Sequence, residues 1–307
     1  MTRIARSCSM TARRRNKPLA TSATPPSLHA VDLSHLRAAR ILPKRCASLR
    51  LIQVGCGGIG AFLGTSTARL ARECQSLYEE VTVQLFDGDT VEERNIRRQN
   101  FCLAEVGQNK AETLAYRLNA AWGLNIEAYP RHFKAADAQP AHNTLTVLLG
   151  CVDNGQARRM LHSSLSAYER EDDTQCWWID GGNDSVTGQI LIGSLVRIGK
   201  LQESFPLPTI CQSLPSPALV HPELLTVRPN EARRPKQSCA ELAAMDPQSL
   251  TINAIIASHI ADYLLRLLIT KDLRRFATYI DMQSGSSRSL PTTPERVADA
   301  LSLSTAA

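Results

Sequence analysis

Apolar runs alternate with amphipathic segments along the first two thirds of the chain, and this alternation predicts repeated strand–helix units. Short apolar runs predict buried strands at 49–54, 81–87, 125–129, 145–151 and 175–179. Apolar positions at helical spacing predict helices at 58–73, 111–122 and 157–168, and 188–196 is predicted as an added antiparallel strand. Strands separated by helices of this length predict a doubly wound, mostly parallel α/β sheet with ligands at the strand carboxyl ends.

The same pattern divides the chain into five parts. Apolar spacing predicts a short helix within 31–41, ended by Pro43, and a long helix with one apolar stripe after Ser249. Strands are predicted between Phe276 and Leu290. The predicted parts are a disordered leader (1–30), an α/β region that binds the ligand (31–196), a proline-rich, irregular crossover (197–248), a C-terminal helix with strands of the same domain (249–295) and a flexible tail (296–307).

Basic charge is concentrated at the start of the chain. Residues 1–50 carry eleven Lys and Arg against the single acid Asp32, whereas the remainder has a net charge of −4. A nucleic-acid surface would need this charge on a folded face, so a solvated tail is the favoured interpretation. The leader lacks the apolar core of a signal peptide, and no run approaches the ~18 apolar residues of a membrane span. These features predict a cytoplasmic protein, with translation starting at either Met1 or Met10.

The nine cysteines are scattered and form no CxxC pair. This spacing predicts neither a disulfide framework nor a tetrahedral zinc site, and most of the thiols are expected to pack as small apolar groups.

A glycine-rich turn joins the first predicted strand to the first predicted helix. The segment GCGGIG supplies Gly55, Gly57 and Gly60 in a GxGxxG pattern, with Gly58 as a further glycine. Such a turn presents backbone N–H groups and a positive helix end to phosphates. The motif alone fits dehydrogenases, methyltransferases and activating enzymes alike. Asp87, at the end of the next strand, can hold ribose hydroxyls in any of them.

A cluster of polar and basic residues after Asp87 separates these classes. Arg98 and Lys110 suit a phosphate chain whose charge grows during a reaction, and a hydride-transfer site has no use for them. Asp153, after the fourth strand, suits Mg²⁺, which prefers oxygen ligands. The structural alternatives are a surface ion pair of Arg98 with Glu92 or Glu93, and an N-cap role for Asp153.

Five motifs in order make the span of about 50–270 resemble the superfamily of ThiF, MoeB and ubiquitin-activating enzymes. They are GCGGIG, FDGDTVEERNIRRQNF, VGQNK, CVDNGQARR and TGQILI. Within it, the chain looks most like the ThiF-related proteins of the plasmid PRTRC cassette. The resemblance implies a Rossmann-like fold and an adenylyltransferase that uses MgATP to activate the C-terminal carboxylate of a ubiquitin-like or sulfur-carrier protein ending in glycine. It also implies a homodimer.

The resemblance further assigns roles to individual residues. Asp87 would bind the ribose, and Asp89 would support the ribose or the metal. Arg98 and Lys110 would be catalytic, and the set that orients the triphosphate would be Asn95, Arg98, Gln99 and Lys110. Asp153 would hold Mg²⁺, with Asn154 beside it at the nucleotide.

Further roles concern cysteines and the partner subunit. Cys239 lies where relatives carry a cysteine that receives the acyl group, and thioester formation and an inert thiol are both open. Cys211 lies where relatives begin a zinc-binding CxxC, but the partner position is Leu214, so zinc is expected to be absent. Either Arg37 or Arg40 could be the arginine that enters the partner subunit's site.

Three other functions stay open at this point. One is adenylation of a tRNA-linked or peptide carboxylate, which would give the basic leader a role as an RNA contact. Another is a catalytically silent nucleotide-binding partner in plasmid maintenance. The last, a nicotinamide dehydrogenase, leaves Arg98, Lys110 and Asp153 unexplained.

Overall fold

The structure is a computed structural model, and it describes residues 34–169, 173–197, 199, 203–227 and 250–305. The predicted leader (1–30) and Cys239 lie outside the described residues. Ten strands are present in this part of the chain: β1 (Arg40–Ile41), β2 (Ser48–Val54), β3 (Glu80–Phe86), β4 (Glu127–Tyr129), β5 (Thr144–Gly150), β6 (Gln175–Asn183), β7 (Thr187–Gly193), β8 (Ile210–Cys211), β9 (Arg275–Asp281) and β10 (Ser286–Pro291).

Eight of these strands form one sheet in the order β10-β9-β7-β6-β5-β2-β3-β4. The five strands from β6 to β4 are parallel, and β7, β9 and β10 extend the sheet in antiparallel fashion. This arrangement confirms the predicted doubly wound, mostly parallel sheet and the predicted antiparallel strand after β6. The two-residue strands β1 and β8 pair separately with each other.

The α-helices in the described residues are α1 (Ser34–Arg37), α2 (Gly58–Cys74), α3 (Lys110–Trp122), α4 (Gly155–Tyr168), α5 (Pro217–Val220), α6 (Leu250–Leu268) and α7 (Pro294–Thr305). Helices α2, α3 and α6 contribute to one apolar core, and α4 packs into a second. Because side chains alternate along β2, Leu51 faces the first core and Ile52 the second. The sheet is therefore covered on both faces, as a parallel sheet requires.

Two local predictions differ from the structure. The tail predicted to be flexible from residue 296 contains α7, whose Val297 is buried. The helix predicted over 31–41 is limited, in the described residues, to Ser34–Arg37, and β1 follows it. The amide of Ile41 donates to the carbonyl of Leu273, and the amide of Arg40 to that of Thr209. These partners are distant in sequence, so local apolar spacing carries no sign of them.

The crossover is described only to residue 227, where it contains β8, α5 and a 3-10 helix over Pro222–Leu225. No helix in the part of the chain that the structure describes is long and apolar enough to cross a membrane.

A buried ion pair joins α4 to β6. Arg158 Nε lies 3.1 Å from Asp180 Oδ2, and the two residues are 8% and 0% exposed. Burial raises the pKa of Asp180, and the neighbouring Arg158 opposes that rise. The pair holds α4, and with it the segment that carries Asp153, against the sheet.

We expect Arg158→Met to destabilise the fold by about 3–5 kcal/mol, because it leaves Asp180 charged and buried without a partner. Urea unfolding should show a deficit that shrinks as pH falls through the raised pKa of Asp180, since the protonated carboxyl carries no charge. Arg158→Met combined with Asp180→Asn should recover most of the loss. Wild-type stability of the single variant at neutral pH would show that the pair does not hold α4.

Candidate phosphate-binding site

The candidate site lies where the strand order reverses, at the carboxyl ends of β2 and β5. These two strands are parallel neighbours, and their following connections lead to α2 and α4 on opposite faces of the sheet. Doubly wound sheets bind ligands in this crevice. The glycine turn Gly55–Gly58 follows β2, and Asp153 follows β5.

At three of the four positions, the surrounding protein leaves no room for a side chain larger than that of glycine. Gly55 has a φ of +93°, and a side chain there would overlap the carbonyl of Cys151. A side chain at Gly60 would overlap the carbonyl of Gly55, and the Cβ of a residue at position 58 would lie 2.7 Å from Asn253 Oδ1. These residues bring the turn against β5 and α6.

Gly57 differs from the other three, because the protein leaves open space beside it. The atom nearest to a Cβ at this position would be Gln99 Nε2, at 3.7 Å. Gln99 is only 6% exposed, and its Oε1 has no hydrogen-bond partner within the described residues. A buried polar atom without a partner is costly, so this one indicates a ligand or ordered water on the open side of the turn.

Asp87 fixes the turn from the neighbouring strand. Its Oδ2 accepts a hydrogen bond from the amide of Cys56 at 2.7 Å, and its Oδ1 accepts one from the amide of Asp89 at 2.8 Å. Burial raises the pKa of Asp87, and these two hydrogen bonds and nearby Lys110 lower it in part. The predicted ribose carboxylate therefore also orients the backbone of the glycine turn.

Lys110 begins α3 and points toward the same edge of the sheet. Its side chain is almost fully buried, and Nζ lies 3.4 Å from Asp89 Oδ2. Asn109 caps α3, since its Oδ1 accepts from the amide of Ala111, and its Nδ2 donates to the carbonyls of Asp87 and Asp89. The loop of Asp87 and Asp89 is thereby held against the helix that carries Lys110.

Asn95 ends a short 3-10 helix, Glu93–Asn95, and Arg98 and Gln99 lie in the turn that follows it. Asn95 is buried, and its Oδ1 accepts from the amide of Glu92 within this short turn. The carbonyl of Arg98 accepts from Asn253 Nδ2 at 3.1 Å. Glu92, considered above as a partner for Arg98, forms an ion pair with Arg94 at 2.6 Å.

Asp153 and Asn154 lie between β5 and α4. The N-cap of α4 is Asn154, whose Oδ1 accepts from the amide of Ala157 at 2.8 Å, so the N-cap alternative for Asp153 is wrong. Asp153 is exposed, and the backbone of Cys151 and the side chain of Val152, just before it, abut Gly55. An exposed carboxylate at this edge fits Mg²⁺, which takes one or two carboxylates and completes its shell with phosphates and water. The described residues hold no cluster of three or more metal-ligating side chains.

The remaining predicted residues lie apart from this group. Cys211 is buried, its thiol donates to the carbonyl of Ser213, and burial raises its pKa to about 12; Leu214 is also buried. The amide of Ile41 donates to the carbonyl of Leu273, just before the start of β9, and β9 runs in the same direction as the parallel strands. Arg37 and Arg40 therefore lie toward the amino ends of these strands, opposite the glycine turn. The described contacts of the two arginines are therefore with the opposite edge of the sheet from the candidate site.

Two residues of the site were not predicted from the sequence, namely Asn109 and Asn253. Asn109 lies two positions before the predicted helix 111–122, and asparagine just before a helix is a common N-cap pattern that could have identified it. Asn253 lies in an apolar helix stripe, where only its polarity is unusual.

The fold and the glycine turn define a Rossmann-like α/β protein with a phosphate-binding type of turn. A scan against protein-family models matches the ThiF family over residues 42–298. The chain belongs to the ThiF family, which confirms the resemblance in the sequence. A search of curated proteins returned no match.

Solved structures with the same fold include a crystal structure of PaaA, at 18% identity and a TM-score of 0.52. The match covers 81% of this chain and 65% of the PaaA chain. Another is E. coli MccB with AMPCPP and MccA, at 15% identity and a TM-score of 0.50, covering 80% of this chain and 64% of that one. The chain thus spans slightly less than two thirds of either protein, and at these identities the structural likeness shows a shared fold alone.

We expect Gly57→Ala to weaken ATP binding at least about tenfold, because the methyl group would fill the space through which a pyrophosphate approaches the backbone. The protein leaves that space free, so the melting temperature should stay within about 3 °C of wild type. Titration calorimetry with ATP and thermal unfolding measure the two effects.

Gly60→Ala is the matched control, since its side chain would overlap the Gly55 carbonyl. It should lower the melting temperature clearly. Unchanged ATP affinity in Gly57→Ala would mean that the nucleotide does not lie on this turn.

Proposed function

We propose that the chain is an ATP-dependent adenylyltransferase that activates a carboxylate of a partner molecule and releases pyrophosphate. The observation that carries the proposal is the open side of Gly57, faced by the buried Oε1 of Gln99, which has no hydrogen-bond partner among the residues that the structure describes. Membership of the ThiF family supports an adenylating enzyme over the dehydrogenase considered above.

Phosphate binding rests on the turn and on the helix that follows it. Helix α2 has 17 residues and begins at Gly58, so its positive end and the free amides of its first turn face the crevice. The amide of Cys56 already donates a hydrogen bond to Asp87. The nucleotide would therefore be bound by the backbone amides that follow Cys56 in the turn.

Charge neutralisation would come from Lys110 and Arg98. Lys110 is almost fully buried, and a cation fixed in a water-poor environment acts more strongly on developing charge than one in solvent. Asp89, at 3.4 Å, holds its ammonium group in place before ATP binds. Arg98 lies on the segment that Asn253 ties to α6 and would contact the leaving pyrophosphate with its guanidinium.

Magnesium would be held by Asp153 in this proposal. When bound, the ion would neutralise phosphate charge beside the glycine turn. Asn154 caps α4 immediately after Asp153 and so fixes the start of the helix behind it.

The reaction requires positioning more than acid–base catalysis. An oxygen of the acceptor carboxylate attacks the α-phosphorus of ATP, and the bond between that phosphorus and the bridging oxygen to the β-phosphate breaks. The electron pair leaves with pyrophosphate, whose added negative charge Arg98 and Lys110 would stabilise. The attacking carboxylate is already an anion, so no general base is needed.

A protein or peptide is the acceptor that we propose. The E. coli MccB structure contains MccA together with AMPCPP, and this supports a nucleotide and a partner bound to the same fold. The finer proposal, from the family resemblance, is a ubiquitin-like or sulfur-carrier protein that ends in glycine. Transfer to Cys239, a homodimer with an arginine from the partner subunit, and the PRTRC subtype also remain predictions.

The proposal is tested by ATP–pyrophosphate exchange with candidate acceptors. We expect exchange with a ubiquitin-like protein ending in a free glycine carboxylate, and none with the same protein ending in a carboxamide, because only the carboxylate can attack phosphorus. Exchange with a short peptide, or with an aminoacylated RNA alone, would change the acceptor class. ATP binding without exchange for any acceptor would instead indicate a silent nucleotide-binding partner.

Arg98→Ala should reduce the exchange rate about 100-fold or more, since it removes a fixed donor to the charge that develops on pyrophosphate. Arg97→Ala is the matched control, because Arg97 is the exposed neighbour on the same segment. It should retain wild-type exchange. Equal rates for the two variants, at equal thermal stability, would remove Arg98 from the mechanism.

A further inference from the structure

Asn253 is a buried amide that contacts two parts of the candidate site and the end of β6. It is 0% exposed and lies in the first turn of α6, the helix that follows the crossover. Its Nδ2 donates to the carbonyl of Arg98 at 3.1 Å, and its Oδ1 accepts from Asn183 Nδ2 at 3.1 Å. Its amide group also occupies the space in which Gly58 would carry a side chain.

The orientation of this amide is fixed by its neighbours. A backbone carbonyl can only accept a hydrogen bond, so the nitrogen of Asn253 must face the carbonyl of Arg98. The opposite group then faces Asn183 at the end of β6. Asparagine is a weak helix former, and a buried amide is tolerated only when it is hydrogen-bonded, so general helix stability does not account for this residue.

We propose that Asn253 is a positioning residue that sets the distance between the Arg98 segment and the glycine turn. It rests on the proposed function, because Arg98 and the turn are there assigned to the triphosphate. Asn253 does not itself contact the nucleotide. It holds the backbone of Arg98 through one bond and packs its amide against Gly58, so the guanidinium and the phosphate-binding amides keep a fixed separation.

The reaction rate is expected to depend strongly on the position of Arg98, because its guanidinium must contact charge that develops only during the reaction. A displacement of about 1 Å at such a site can cost 100-fold in rate. In the described residues, Asn100, which follows this segment, is held by α2 and α3: its Nδ2 donates to the carbonyl of Ala61 at 3.3 Å, and its carbonyl accepts from Arg117 at 2.8 Å. Asn253 therefore adds a connection to α6 that α2 cannot provide.

The informative substitution is Asn253→Asp, which keeps the shape but places an oxygen against the carbonyl of Arg98. In ATP–pyrophosphate exchange we expect the KM for ATP to rise about tenfold and kcat to fall by a similar factor, since a buried acceptor loses its donor. Hydrogen–deuterium exchange should show faster exchange confined to 95–101 and the glycine turn. Asn183→Ala, which removes only the second partner, should shift both readouts in the same direction by a smaller factor.

The matched control is Thr278→Val, which removes the buried hydrogen bond between Thr278 and Tyr263 of α6, at 2.8 Å, far along the helix from Asn253. It loosens the packing of α6 without touching the site, so KM and the amide exchange of 95–101 should stay within about twofold of wild type. A purely structural amide would make Asn253→Asp behave like this control, with lower stability and unchanged KM and amide exchange. That result would overturn the proposal.

The amide-exchange readout separates this proposal from the proposed function. If wild-type protein shows no pyrophosphate exchange with any acceptor, the adenylyltransferase proposal fails, but faster amide exchange at 95–101 in Asn253→Asp still supports the positioning role. If Asn253→Asp does not fold, the same comparison between Asn183→Ala and Thr278→Val decides the question. Unchanged amide exchange at 95–101 in Asn183→Ala would then overturn it.

Discussion

The close approach of three strand ends at the glycine turn is the constraint on which the site depends. The amide of Gly55 donates to the carbonyl of Phe86 at the end of β3, and the amide of Cys151 after β5 donates to the carbonyl of Val54. The turn is held so close to β5 that Gly55 has no room for a side chain. Because these contacts use the protein side of the turn, the outward amides near Gly57 are left for a ligand.

The charged groups are also held by the protein itself. Each carboxylate oxygen of Asp87 accepts one hydrogen bond from a backbone amide, so a role at a ribose would use the remaining lone pairs. Asp89 faces Lys110, and the ammonium group is therefore oriented without a nucleotide. A site built in this way keeps its cations in place before charge develops, and that preorganisation is where electrostatic catalysis gains its strength.

The sequence predicted the parts of this arrangement that are local. The β2–turn–α2 unit follows from apolar spacing and glycine positions, and the doubly wound, mostly parallel character of the sheet follows from the alternation of strands and helices. Contacts between distant segments were not predictable: β1 depends on Leu273 and Thr209, and the buried Val297 stabilises a helix in the segment predicted to be a flexible tail. The difference between Gly57 and the other three glycines also needed the structure, because only their neighbours distinguish them.

Helix α6 explains how an amide in an apolar stripe can act on the site. Ile256 and Ile260 occupy the space left by Gly188 and Gly181 on the sheet, and this packing, together with the hydrogen bond between Tyr263 and Thr278, fixes the position of the helix. Asn253 lies one turn before Ile256 on the same helix, so these contacts also determine its place. Its two bonds then pass that position on to Asn183 and to Arg98.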